Sequence, residues 1–165
     1  MDVYLVRHAI AETRDSTQWP DDAERPLTPE GEARFRKAAR GLRRVAPQVD
    51  IVLASPYVRA WQTAEILECE AGWPAPERAH ELEATQAPAD AVELLRRHAS
   101  NSVALIGHEP NLSGLASLLL AGDEHAVAIE VKKGAVVRLT LNPEVRPASA
   151  LLRWSATPKV LRALA

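Results

Sequence analysis

Cysteine and long apolar segments are scarce in this sequence. Cys69 is the only cysteine among 165 residues, which excludes an intrachain disulfide and favours a reducing compartment. We interpret Cys69 as a small core or near-surface residue rather than a catalytic thiol, because no histidine lies near it in sequence. The longest apolar stretch, residues 112–121, is far shorter than the roughly 20 residues that span a bilayer. No signal peptide is predicted either, so we expect a cytoplasmic protein without a membrane partner.

An excess of one charge and a cluster of aromatic side chains are also lacking. Twenty Lys and Arg stand against 22 Asp and Glu, for a net charge of -2, which predicts no general attraction to nucleic acid. The four tryptophans are too far apart in sequence to suggest a base-stacking platform. Arginine greatly outnumbers lysine, so only an arginine placed by a motif is informative. The length and a hydrophobic content of 47% suit one domain over residues 1–165.

Short apolar runs alternate with helical patterns along the chain, which predicts an α/β fold. Runs such as Ile51–Ala54 are apolar on both faces, as buried strands of a parallel sheet are. We predict a single-domain three-layer α/β/α sandwich, with a mostly parallel sheet and an antiparallel pair of strands at one edge. Strands are predicted at residues 3–6, 51–54, 76–79, 103–106, 134–141 and 149–155, and helices at residues 29–45, 55–70, 89–98 and 110–121.

Two of these helices are predicted to begin with the same signal, a hydroxyl residue that caps the helix and a proline after it. Thr28-Pro29 is expected to open the first helix and Ser55-Pro56 the second. The loop at residues 9–27 is long and rich in Asp, Thr, Ser and Pro, and such loops often form lids or walls of sites. The core face of the first helix is predicted to consist of Phe35, Ala38, Ala39, Leu42 and Val45.

Arginine and histidine occur where the predicted strands end. Arg7 and His8 follow the first strand, Arg59 lies one turn into the second helix, and His108 follows the fourth strand. Because ligands bind outside the carboxyl ends of parallel strands, we expect these side chains to meet at one edge of the sheet. A neutral imidazole is a competent nucleophile near neutral pH, and arginine grips phosphate oxygens with two parallel hydrogen bonds. The sequence therefore predicts a site for phosphoryl transfer.

Short motifs around these residues occur in the order and with the spacing of a known family. They are Arg7-His8-Ala9, Ile10-Ala11-Glu12, Arg25-Pro26-Leu27-Thr28, Ser55-Pro56-Tyr57-Val58-Arg59-Ala60 with Thr63, and Gly107-His108. They resemble the histidine phosphatase superfamily, which has the phosphoglycerate mutase-like fold. One branch, the SixA-type phosphohistidine phosphatases, is resembled in particular by the Arg7-His8-Ala9 opening with Ile10-Ala11-Glu12, by the short chain and by the lack of an inserted helical cap. One departure is Ala9, where the broad family usually has glycine.

The resemblance implies a chemical role for each residue at the strand ends. His8 is implied to become phosphorylated and then to be hydrolysed by water, while Arg7, Arg59 and His108 bind the phosphoryl group. The resemblance further implies a metal-independent phosphatase without a cofactor, which acts on phosphohistidine of a protein in signal transduction. A phosphatase of small phosphomonoesters that uses the same residues is the alternative. A phosphate-binding module without turnover is a third interpretation.

The proton donor for the leaving group is the least defined part of the predicted site. In larger members of the family a glutamate after the third strand has this role, and Glu81 is the nearest match. Glu83 and Glu109 are the alternatives. A phosphoimidazole leaves as a neutral ring once its other nitrogen is protonated, so a phosphohistidine phosphatase can also work without an acid.

Some features have a structural and a functional interpretation. A zinc ion between His8 and His108 is conceivable, but no third ligand has a suitable position in the sequence. Ser55 and Thr63 are expected to be a helix cap and a packing hydroxyl. The basic face of the first helix is expected to be a solvated surface, and the alternative is a docking face for an acidic phosphoprotein. This α1 basic face consists of Arg36, Lys37, Arg40, Arg43 and Arg44.

Overall fold

The structure is a computed structural model that describes residues 1–98 and 100–165. Its strands are β1 (Asp2–Arg7), β2 (Ile51–Ala54), β3 (Glu77–Arg78), β4 (Ser102–Gly107), β5 (Val136–Leu141) and β6 (Ala150–Ala156). Its helices are α1 (Pro29–Val45), α2 (Val58–Ala71), α3 (Pro88–Arg97), α4 (Asn111–Ala121) and α5 (Pro158–Ala163). Within the described residues the strands form one sheet in the order β3-β2-β4-β1-β5-β6.

Helices cover both faces of this sheet, which confirms the predicted three-layer α/β/α sandwich. The helices α1, α2 and α5 pack on the face that holds Tyr4 and Val6, and α3 and α4 pack on the face that holds Val3 and Leu5. These four side chains of β1 are at most 4% exposed, as expected for a strand that is apolar on both faces. The strands β5 and β6 form the predicted antiparallel edge.

The register of the parallel strands brings three chain segments to the same edge of the sheet. Arg7 at the end of β1 lies opposite Gly107 at the end of β4, and Ala54 at the end of β2 lies opposite Ile106. The residues that follow these strands therefore leave the sheet side by side. Among them are His8 and His108, as the sequence predicts.

The first helix follows its sequence signals closely. The hydroxyl of Thr28 accepts a hydrogen bond from the Gly31 amide at 2.9 Å, which confirms the predicted N-cap. The predicted core residues of α1 are buried, except that Val45 is 38% exposed. Val45 is the last residue of the helix, and the next residue, Ala46, is the one that turns into the core.

The second helix begins three residues later than predicted. Ser55 does not cap it: α2 starts at Val58, and its N-cap, Tyr57, makes no side-chain hydrogen bond. The hydroxyl of Ser55 is fully buried and lies 2.9 Å from Nε2 of His108. The prediction was wrong because this hydroxyl joins two strand ends, and the amide that it accepts from is that of Tyr57, at 3.3 Å, which precedes the first residue of α2.

The loop at residues 9–27 and the end of the chain are more ordered than the sequence indicates. The loop contains a 3₁₀ turn at Asp22–Glu24 and a bridge between Ala11 and Leu27. After β6 the chain forms α5, which packs on α1 through the fully buried Leu161. A Cβ atom at Gly41 of α1 would lie only 1.8 Å from the carbonyl oxygen of Leu161, so this approach requires glycine. No helix in the described part of the chain has the length and apolar character to cross a membrane.

Candidate active site

A cavity of about 660 Å³ lies outside the carboxyl ends of β1, β2 and β4. Arg7, His8, Arg59 and His108 all line it, so the structure brings together the four residues that the strand ends predict. His8 and His108 are 5% and 2% exposed, and their ring centres lie 5.2 Å apart. Arg59 is 3% exposed. The cavity is therefore lined by buried cationic and imidazole groups, as a site for an oxyanion requires.

The imidazole of His8 is fixed in one tautomer. Its Nδ1 lies 2.7 Å from the carbonyl oxygen of Ala9, and because a carbonyl oxygen only accepts, Nδ1 carries the proton. The lone pair is then on Nε2. Burial lowers the pKa of His8 to about 3, and the charges of Arg59 and Arg7 act in the same direction. His8 is accordingly neutral at physiological pH, with Nε2 free to act as a nucleophile.

A threonine links the nucleophile segment to the second helix. The backbone amide of Ala9 donates to the hydroxyl of Thr63 at 3.0 Å, and that hydroxyl donates to the carbonyl oxygen of Arg59 at 2.7 Å. Thr63 is fully buried. Its hydroxyl therefore connects the residue after His8 to the turn of α2 that carries Arg59, which is more than the packing role expected from the sequence.

The guanidinium of Arg59 is held by a residue that the sequence did not point to. Its two terminal nitrogens donate to the backbone oxygen of Asp22 at 2.6 Å and to Oδ2 of the same residue at 2.9 Å. The other carboxylate oxygen of Asp22 accepts from Nε of Arg25 at 2.9 Å. Burial opposes ionisation of Asp22, but the two arginines hold the pKa of its carboxyl below its usual range. The loop at residues 9–27 therefore orients Arg59 through one carboxylate.

Three buried side-chain nitrogens of the cavity-lining residues have no hydrogen-bond partner within the described chain. They are Nε of Arg7, Nε of Arg59 and Nδ1 of His108. Buried polar atoms are almost always paired in folded proteins, so these nitrogens suit a ligand that brings several acceptor oxygens. A phosphoryl group is such a ligand. A terminal nitrogen of Arg7 donates to the carbonyl oxygen of Val131 at 2.9 Å, which fixes its side chain.

His108 is positioned by contacts on two sides. Its Nε2 pairs with the hydroxyl of Ser55, which also accepts from the amide of Tyr57 at 3.3 Å. The ring of Tyr57 lies 4.9 Å from that of His108, and the guanidinium of Arg59 lies 5.0 Å from the centre of the same tyrosine ring. Burial is the main cause that lowers the pKa of His108, so this ring is neutral too.

The structure separates the three glutamates proposed as proton donor. Glu81 is not among the residues that line the cavity, because its carboxylate pairs with Arg97 of α3. Glu83 pairs with Nδ1 of His80 at 2.6 Å and does not line the cavity either. Glu109 does line it, and one of its carboxylate oxygens accepts from the Ser113 amide in the first turn of α4 at 3.1 Å. Only Glu109 of the three reaches the site.

Several lining residues were missed by the sequence analysis. Asp22 and Arg25 come from the long loop, Tyr57 precedes α2, and Lys133 precedes β5. Tyr57 and Arg25 lie inside recognised motifs and could have been found there, whereas nothing in the sequence around Lys133 connects it to β1. No group of three or more His, Cys, Asp or Glu side chains within residues 1–98 and 100–165 is arranged to hold a metal ion.

Comparisons with known proteins agree with this geometry. The family model described as histidine phosphatase superfamily (branch 1) matches residues 3–86. An uncharacterized protein of Picosynechococcus sp. is 30% identical over 142 residues, which are 84% of each chain. The protein histidine phosphatase SixA complexed with tungstate has a TM-score of 0.82 at 25% identity, over 96% of this chain and 98% of that one. A mycobacterial glucosyl-3-phosphoglycerate phosphatase shares the fold, with a TM-score of 0.67 at 14% identity over 94% and 99% of the two chains.

Proposed function

This chain belongs to the histidine phosphatase superfamily, as a SixA-type phosphatase, and we propose that it hydrolyses phosphohistidine on a protein through a covalent intermediate on His8. The observation that carries the proposal is the hydrogen bond from Nδ1 of His8 to the carbonyl oxygen of Ala9, at 2.7 Å. We propose one catalytic domain over residues 1–165, without a metal or other cofactor. A single cysteine suits the cytoplasm, where we expect the protein to act in signal transduction.

In the first step His8 takes over the phosphoryl group. The lone pair on Nε2 attacks phosphorus, and the bond from phosphorus to the nitrogen of the substrate imidazole breaks. Arg7, Arg59 and His108 provide hydrogen-bond donors for the phosphoryl oxygens as charge shifts onto them. The substrate ring leaves as a neutral imidazole when its other nitrogen carries a proton, so this step needs no acid from the protein.

In the second step water releases phosphate from His8. The oxygen of water attacks phosphorus, and the bond between phosphorus and Nε2 breaks with its electron pair returning to the ring. Because Ala9 keeps the proton on Nδ1 throughout, phosphorylated His8 also leaves as a neutral imidazole. The protons of the attacking water depart with the phosphate. One hydrogen bond thus selects Nε2 for attack and makes it a good leaving group afterwards.

The positions of the glutamates favour phosphohistidine as the substrate. An alkoxide released from a phosphomonoester needs a proton, whereas a protonated phosphoimidazole does not. Glu81 pairs with Arg97 and does not line the cavity, so we assign it no proton transfer. Glu109 lines the cavity, and one of its two carboxylate oxygens accepts from the Ser113 amide. Of the three glutamates only Glu109 is therefore placed to supply a proton, and a leaving group that needs none does not depend on it.

A phosphatase of small phosphomonoesters is the second candidate. The observation in its favour is Glu109, which lies in the cavity and would be the proton donor. Release of an alkoxide from a phosphomonoester requires a proton donor, whereas release of an imidazole from phosphohistidine does not. The variant Glu109→Gln therefore separates the two candidate functions. We expect turnover of a phosphohistidine peptide to change by less than about threefold in this variant, whereas an acid-dependent ester phosphatase would lose about 100-fold.

Trapping of the phosphoenzyme tests the proposal. The purified protein is mixed for a short time with a ³²P-labelled phosphohistidine protein, quenched in alkali and analysed for label, with His8→Ala as the control. We expect alkali-stable, acid-labile label on the unmodified protein only. Specificity constants for the same phosphohistidine protein and a panel of small phosphoesters then rank the substrates. Higher specificity constants for the esters would overturn phosphohistidine as the substrate. The absence of label on His8 would overturn both phosphatase functions and leave only a phosphate-binding module.

A further inference from the structure

A second cavity, of about 510 Å³, adjoins the catalytic cavity, and Arg7 and Lys133 line both. We call it the basic cleft, because its lining contains six cationic side chains and one acidic side chain, Glu130, within the described part of the chain. The six cations are Arg7, Arg34, Lys132, Lys133, Lys159 and Arg162. The whole sequence has a net charge of -2. The cleft is therefore a positively charged region of a protein whose total charge is slightly negative.

The walls of the basic cleft are built into the fold. The first half of α1 and the helix α5 both line the cleft, and α5 is anchored on α1 by the fully buried Leu161. Glu130, Lys132, Lys133 and Gly134 line it as well, and Lys133 also lines the catalytic cavity. The amide of Gly134 donates to the carbonyl oxygens of both Arg7 and His8, at 3.1 Å each. The cleft is therefore fixed to the strand that carries the nucleophile.

Only part of the positive charge in the cleft is neutralised by the chain itself. Arg34 pairs with Glu30 at 3.0 Å, and Lys132 lies 3.6 Å from Glu130. Within the described residues, Lys133, Lys159 and Arg162 are in no ion pair. Burial is the first cause that lowers the pKa of Lys133, and the charges of Arg7, Arg25 and Arg59 lower it further. The positive field of the catalytic site therefore extends into the cleft through Lys133.

The α1 basic face, which the sequence suggested as a docking face, is a poorer candidate. Arg36 and Arg40 both pair with Glu70, at 3.3 and 2.9 Å. None of the five cations of this face lines the catalytic cavity or the basic cleft. A partner bound there would have no direct path into the site, whereas a partner in the basic cleft would touch Arg7.

We propose that the basic cleft binds an acidic segment of the protein that carries the phosphohistidine, beside the residue whose phosphoryl group enters the catalytic cavity. This inference rests on the proposed function. The cleft cations come from separate elements and surround an opening with apolar lining from Ile10, Phe35 and Pro158. A small anion needs donors that converge on one point, and the cations of the cleft do not come from one element. A polypeptide segment with several carboxylates and an aliphatic side chain is a better match, because its charges are spread out and its apolar side chain can contact the apolar lining.

Two phosphohistidine peptides of equal length serve as probes for this cleft. In one peptide the phosphohistidine is flanked by glutamates, and in the other the same positions are glutamines, which keep the shape without the charge. The specificity constant is measured for both at low and at high ionic strength. The unmodified protein is expected to prefer the glutamate peptide about tenfold at low salt. About 0.5 M salt should abolish that preference, because it shortens the screening length to a few ångströms.

Two matched double variants show which surface causes the preference for the glutamate peptide. Lys159→Glu with Arg162→Glu reverses two cations of the basic cleft, and Lys37→Glu with Arg44→Glu reverses one lysine and one arginine of the α1 basic face. The cleft variant is expected to lose the preference for the glutamate peptide, and the α1 variant to keep at least half of it. For the glutamine peptide all three proteins should agree within about twofold, because these residues lie outside the catalytic cavity and rim charges act mainly on association.

The outcomes separate this proposal from the proposed function. Docking in the basic cleft is overturned if the unmodified protein does not prefer the glutamate peptide, or if the cleft variant retains the preference. Loss of the preference in the α1 variant alone would overturn it in favour of that face. Equal loss in both variants would indicate a general effect of net charge and overturn it as well. Turnover of a small phosphoester without turnover of either peptide would instead overturn the phosphohistidine function, and the docking proposal with it.

Discussion

The catalytic cavity has one side formed by strand ends and another formed by the loop at residues 9–27, and the two sides are held by different forces. His8 and His108 follow paired parallel strands, so the sheet register fixes their positions. Asp22 of the loop is held by side-chain contacts, above all those with Arg59 and Arg25. The strand ends therefore supply the reacting groups, whereas the loop orients the guanidinium of Arg59 towards the same cavity.

The strand side should show the largest effect of any substitution. Replacement of His8 by Ala removes Nε2, and turnover of a phosphohistidine peptide is expected to fall by at least about 1000-fold. The melting temperature should change little, because the neutral ring makes one hydrogen bond, to the adjacent carbonyl. If His8→Ala kept more than about one tenth of the original turnover, the strand side would not supply the nucleophile, and the distinction from the loop side would fail.

The link between the two sides, Thr63, should show an intermediate effect. Thr63→Val removes the acceptor of the Ala9 amide and leaves that buried N–H without a partner, which is expected to cost about 1–3 kcal/mol of stability. The rate of phosphoryl transfer should fall as well, because Ala9 orients His8. Thr63→Ser keeps the hydroxyl and should restore both properties in urea unfolding and steady-state assays. A valine variant as active as the serine variant would show that the hydroxyl only fills space.

The loop side should affect kcat more than KM. Asp22→Asn keeps an acceptor for Arg59 but removes the charge that holds the guanidinium, so kcat is expected to fall about tenfold. KM should stay equal or decrease, since a negative charge near the phosphoryl site is lost. The matched control is Asp21→Asn, an exposed neighbour with the same change of charge. A rise in KM at constant kcat would instead assign Asp22 to substrate binding.

The last prediction concerns the pH dependence of stability rather than the rate of catalysis. The pKa of His8 is about 3 in the folded protein, against 6.5 for the ordinary side chain, so the unfolded chain binds the proton more readily. The contribution of neutral His8 is complete above about pH 6.5 and is lost as the pH falls towards 3, by up to roughly 1.4 kcal/mol per pH unit. His8→Gln should flatten this slope in urea titrations between pH 6 and 4. An unchanged slope would mean that His8 is not buried as a neutral ring.

The strand side could be predicted from the sequence and the loop side could not, for physical reasons. Apolar runs locate the strands, and parallel pairing then brings Arg7, His8 and His108 to one edge without further information. Asp22 and Lys133 reach the same cavity through loops whose paths depend on tertiary contacts. The resemblance to larger members of the family suggested Glu81, but the carboxylate of Glu81 pairs with Arg97 and does not line the cavity.

Equal local signals had unequal outcomes at the helix starts. Thr28-Pro29 opens α1 as predicted, whereas the hydroxyl of Ser55 contacts His108 instead of capping α2. The helix α5 was missed although Thr157-Pro158 carries the same cap and proline signal, with Thr157 accepting from the Val160 amide. Local chemistry therefore indicates the region in which a helix begins, and at Ser55 a contact with a distant strand end accompanies a later start of the helix.

The nitrogen of His8 that carries the phosphoryl group tests the central claim most directly. The protein is labelled with ¹⁵N-histidine, mixed with a phosphohistidine peptide, held at alkaline pH and observed by ¹⁵N and ³¹P NMR, with His8→Ala for assignment. The tautomer fixed by Ala9 predicts a phosphoryl group on Nε2 of His8, with coupling from phosphorus to that nitrogen alone. Phosphorylation of Nδ1, or of a residue other than His8, would contradict the account.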